Sequence, residues 1–90
     1  MRIVSGFFLR EIVGETVAIP SGDAAHRLSG LIALNGSGKL LFELLQTEQT
    51  KESLISALME RYEIDEKTAS QDVDDFVAML RENKLLAENS

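Results

Sequence analysis

The sequence predicts an α+β fold, a winged helix-turn-helix-like layout in which an N-terminal three-stranded antiparallel sheet is followed by three helices. Three observations predict it. Residues 7–19 are dense in strand formers broken by one glycine turn. From residue 36 onward apolar residues recur at helical spacing behind capping residues. A turn of only three residues, Glu63-Ile64-Asp65, then separates the last two helices.

Taken in order, Phe7 to Val13 reads as a strand, Gly14-Glu15 as a tight turn and Thr16 to Ile19 as its partner, with Pro20 ending the run. Ser21-Gly22-Asp23 is a turn, and Ala24-Ala25-His26-Arg27 is a loop. The third strand is Leu28-Ser29-Gly30-Leu31-Ile32-Ala33-Leu34, which hands the chain to Asn35, a helix cap. Its small residues let another backbone approach closely. The first helix runs from Gly36 to about Gln46 with Leu41, Leu44 and Leu45 inward and Phe42 beside them. Thr50 caps the second, whose stripe is Leu54, Ile55, Leu58, Met59 and Tyr62. Asp65 caps the third, Glu66 to about Asn83, which buries Ala69, Val73, Phe76, Val77 and Leu80. Lys84-Leu85-Leu86 folds apolar residues back. No repeat or internal linker divides residues 1–90, which read as a single domain.

Composition removes several function classes. With no cysteine and one histidine, thiolate chemistry and zinc ligation have no residues to use, and a reducing cytoplasm suits such a chain. No apolar run is long enough for a signal peptide or a membrane span. Residues 1–42 carry four Lys or Arg against three Asp or Glu, whereas residues 43–90 carry five against twelve. A helical half this acidic repels phosphates, so nucleic acid is not the expected partner. A winged-helix regulatory or DNA-associated domain is the alternative reading, but its recognition helix would need Arg, Lys, Asn or Gln where this third helix has Glu66, Asp72, Asp74, Asp75 and Glu82.

Local motifs are equally sparing. Gly36-Ser37-Gly38-Lys39 is no phosphate loop, because Ala33 and Leu40 occupy its other required positions. Glu52-Ser53-Leu54 is a faint match to the Asp-Ser-Leu of acyl carrier proteins, which are all-helical, and Ser53 fits a first helical turn better. Asp74 and Asp75 point away from the buried stripe; Asp72 shares a flank with Phe76, Met79 and Asn83. No nucleophile–base pair, metal set or cofactor motif emerges, so the chain is not expected to be an enzyme by itself.

Four segments together resemble the PqqD family, the small recognition domains of peptide-modifying pathways. They are Leu9 to Pro20, Leu31 to Gly38, Leu41-Phe42-Glu43-Leu44-Leu45, and Tyr62 through Asp72–Val77 to Leu86. Phe42 stands where that family often has tryptophan. Lys84 stands where a glycine commonly ends the third helix, which shifts the helix end onto Asn83. The resemblance implies a non-catalytic peptide chaperone. Such a protein binds the leader of a ribosomally made precursor peptide and presents it to a modifying enzyme, often of the radical-SAM type, as in pyrroloquinoline quinone (PQQ) synthesis. It also implies that the leader joins the third strand, in a groove beside the third helix.

The residues read by themselves agree with that mechanism. An open strand edge is a hazard unless something occupies it. Backbone groups along Gly30, Leu31, Ile32 and Ala33 supply affinity by strand addition, and side-chain pockets supply selectivity. Phe76, with Val73 and Met79, makes the expected apolar pocket, and Asp72 is placed to receive a basic residue or an N–H group. The same free edge also allows a homodimer.

Overall fold

The computed structural model describes residues 1–4, 6–21 and 32–87. Strands β1 (Arg2–Ile3), β2 (Phe7–Ile12), β3 (Glu15–Pro20) and β4 (Ile32–Leu34) precede helices α1 (Gly36–Leu44), α2 (Lys51–Arg61) and α3 (Glu66–Glu82), and β5 (Leu86–Ala87) closes the order. A three-stranded antiparallel sheet, β2-β3-β4, followed by three helices is the expected α+β architecture.

The hairpin turn lies one residue earlier than expected. Ile12 pairs with Glu15, so Val13-Gly14 is the two-residue loop. Both have positive φ, 51° and 81°, the combination of a type I′ turn, whose twist suits a hairpin. Gly14 accepts this at no cost; Val13 does not.

Each helix begins on the residue expected to cap it. Asn35 Oδ1 accepts from Gly38 N at 2.7 Å, Thr50 Oγ1 from Ser53 N at 3.1 Å and Asp65 Oδ1 from Thr68 N at 2.8 Å. Ser53 returns the favour at α2, its Oγ accepting from Thr50 N at 3.1 Å, which completes a capping box. That bond gives Ser53 a structural occupation.

The end of α3 departs from expectation. Asn83 keeps φ −94°, and Lys84 takes the left-handed conformation at φ +58°. Lys84 N donates to Arg81 O and Leu85 N to Leu80 O, the paired bonds of a Schellman motif. Leu80 and Leu85 are both fully buried, and their burial holds the lysine in a conformation that favours glycine.

The core sits between the sheet face carrying Ala18 and the helices, and is filled by Leu41, Phe42, Leu45, Leu54, Leu58, Val73 and Leu80. Met59, assigned to the α2 stripe, is 41% exposed instead. Two strands had no counterpart in the sequence reading: β1 pairs antiparallel with β5, and Ile3 N donates to Leu45 O at 2.9 Å. Among the described residues no helix is long and apolar enough to cross a membrane, and no acidic or histidine cluster could hold a metal.

Candidate functional site

Among the described residues β4 has a strand neighbour on one side only, and its other edge can be read residue by residue from the hairpin. A two-residue loop makes Ile12 and Glu15 a hydrogen-bonded pair, and alternation carries this to Arg10–Val17 and Phe8–Ile19. The bond from Ser21 N to Gly6 O at 2.7 Å continues the same parity. Thr16 and Ala18 therefore turn their backbone groups toward β4, where their partners are Leu34 and Ile32. Ala33, between those two, presents its N–H and C=O to the open side.

Directly beside that edge runs a groove of about 280 Å³ between β4, the start of α1 and α3. Its apolar wall is Leu34, Leu41, Phe76 and Met79; Asp72 and Asp75 stand on α3; Asn35, Ser37 and Gly38 form the end at α1. Gly38 is needed there. A Cβ on it would crowd the capping oxygen Asn35 Oδ1 at 3.0 Å, while meeting Phe76 Cε1 at an ordinary 3.5 Å, so glycine leaves room for the cap. Asn35 Oδ1 also accepts from Ser37 Oγ at 3.1 Å, which fixes this end of the groove. On the α3 wall, Gln71 Nε2 donates to Asp75 Oδ1 at 2.8 Å. Among the described residues no basic side chain lines the groove.

Of the residues expected at the site, Ala33, Asp72, Phe76 and Met79 come together here. Ile32 is half-buried against the core, and its amide is turned to β3. Val73 is fully buried and belongs to the core. Three residues of α-helix rotate the chain by about 300°, which sets Val73 about 60° off Phe76 toward the helices beneath. Gly30 and Leu31 lie outside the described residues.

Sequence reasoning did not assign Leu34, Asn35, Ser37, Gly38, Leu41 or Asp75 to the groove. For Asp75 and Gly38 a signal existed. Asp75 is three residues from Asp72 and four before Met79, hence on their face. A glycine inside a first helical turn, where it weakens the helix, marks a close approach.

Two solved structures share this fold. One, described as TbiB1 in complex with the TbiA(beta) leader peptide, superposes with a TM-score of 0.74 at 22% identity, covering 100% of this chain and 99% of that one. The other, described as lasso peptide synthetase B1 complexed with the leader peptide, has a TM-score of 0.71 at 17% identity, covering 97% and 96% of the two chains. No curated protein matches the sequence. Residues 9–86, nearly the whole chain, match the family described as coenzyme PQQ synthesis protein D, and the protein belongs to that PqqD family.

Proposed function

We propose that the groove between β4 and α3 binds the leader segment of a ribosomally made precursor peptide as an added strand. The protein acts without catalysis, presenting the peptide to a modifying enzyme of the radical-SAM type in PQQ synthesis or a related pathway. The observation that carries this reading is the outward amide and carbonyl of Ala33 beside a trough floored by Phe76 and Met79. Main-chain bonds to the edge supply affinity, and the trough selects apolar side chains. Asp72 and Asp75, with no cation beside them among the described lining residues, favour a leader carrying a basic residue or an N–H at that point. Both structural neighbours are complexes with leader peptides, which supports the same partner class here.

The test is fluorescence anisotropy with labelled synthetic leader peptides of ribosomally made precursors, the TbiA(beta) leader of the structural neighbour among them. Ala33→Pro removes an N–H that β3 does not use, and a proline is tolerated on an edge strand. We expect at least tenfold weaker binding with an unchanged circular dichroism spectrum. Phe76→Ala removes the trough's largest wall and, at roughly 1.5–3 kcal/mol for a buried aromatic side chain, should weaken binding by about 10- to 100-fold. Ile32→Pro strikes the β3–β4 ladder itself and should lower stability. Full affinity in folded A33P and F76A proteins would overturn the proposal.

A further inference from the structure

The sheet has two edges, and β2 forms the second: it has a strand neighbour on one side only among the described residues. It is six residues long. By the parity established above, Phe7, Leu9 and Glu11 turn their backbone groups outward. Phe8 is 45% exposed and Ile12 42% exposed on the same strand. Beside the edge lies a hollow of about 200 Å³ lined by Phe7, Leu9, Phe42 and Gln46 among others. A long edge strand with exposed apolar side chains is a site of strand pairing unless its sequence opposes it.

We infer that β2 pairs antiparallel with β2 of a second copy of this chain, across a twofold axis at Leu9, joining two sheets into one of six strands. Self-complementarity selects this partner and this register. Hydrogen-bonded pairs must join outward-facing residues, so the candidates centre on Leu9–Leu9, on Phe8–Phe8 or on Arg10–Arg10. The last sets two guanidinium groups face to face. The Phe8 register matches the chain ends poorly, leaving Arg10 opposite Gly6. Centring on Leu9 pairs all of residues 7–11 and sets Arg10 of each copy opposite Phe8 of the other, in the closer, non-hydrogen-bonded type of pair. That places a cation on an aromatic face twice per dimer. Glu11 falls opposite Phe7, with its carboxylate drawn aside toward Lys39 of its own chain at 4.0 Å. The two β4 edges lie at the far ends of the joined sheet, so the pairing occupies neither candidate peptide groove.

The test uses the intact protein. Sedimentation equilibrium across a concentration series into the millimolar range should show a mass rising from 9.9 kDa toward twice that value. The sequence has no cysteine, so single replacements report one site each. Leu9→Cys should form a covalent dimer under mild oxidation, because a hydrogen-bonded antiparallel pair sets its Cα atoms about 5.5 Å apart, within disulfide reach. Ala33→Cys, on the other edge, should remain monomeric on a denaturing gel. Glu11→Pro, which removes an outward N–H, should return the mass to that of the monomer. A wild-type monomer at every concentration, or cross-linking through A33C equal to or above that through L9C, would overturn the inference.

Discussion

Val13 illustrates how a single position can be at odds with its surroundings and persist. It sits at the hairpin tip, 98% exposed, at φ 51°. A β-branched residue there costs roughly 1–2 kcal/mol. Asn-Gly is the preferred pair for this turn. Val13→Asn should therefore stabilise the protein by about 1 kcal/mol, seen as a higher urea midpoint with an unchanged slope. Lys84 is similar, except that the burial of Leu80 and Leu85 and the backbone bond between them over-determine it. Neither residue's conformation was legible in the sequence, because valine and lysine carry no left-handed preference and the forces acting on them come from the hairpin register and the core. Gly38 was legible only in part. Its cost to the helix shows in its identity, but the close approach of Asn35 Oδ1 that favours it depends on the cap geometry, and the Phe76 ring beside it lies 38 positions away.

At the scale of elements, the helix starts were the most readable features, since a cap is satisfied within three residues of itself. Asp65 carries a consequence in acid. The backbone N–H and side chain of Thr68 hydrogen-bond its carboxylate and hold its pKa below the ordinary aspartate value. Above about pH 4 the group is charged in both folded and unfolded chains, and its whole contribution is present. As pH falls further, the unfolded chain takes up the proton first, and that contribution drains away until the folded-state pKa is passed. Asp65→Asn keeps a cap without the titration. The stability gap between the two proteins, from urea titrations at successive pH values, should be constant near neutrality and change only below about pH 4. The two-residue strands β1 and β5 were not readable. Nothing in Arg2-Ile3 or Leu86-Ala87 specifies pairing, and each exists because the other is held beside it by Leu45 and Leu85. Strand parity, which separates Ala33 from Ile32, needed the observed turn.

For the molecule as a whole, charge separates peptide binding from nucleic-acid binding. The net charge is −6, and the acids concentrate on the helices, including the α3 face that a winged-helix protein would present to a groove of DNA. Duplex DNA should show no retardation by this protein even at low salt; a complex that weakens steeply as salt rises would contradict the peptide-binding reading. The groove was half legible for a geometric reason. Helical spacing put Asp72, Phe76 and Met79 on one face, but the contribution of α1 follows from how α1 leans on α3, which no local pattern encodes. The pairing of β1 with β5 has a temporal consequence. Arg2 meets Ala87, so this small sheet closes only when two segments 85 positions apart in the chain come together. Such distant closure slows folding. Until β5 docks, Ile3 lacks its strand partner Leu86, so the last part of the core to close is the part whose two sides lie farthest apart in the sequence.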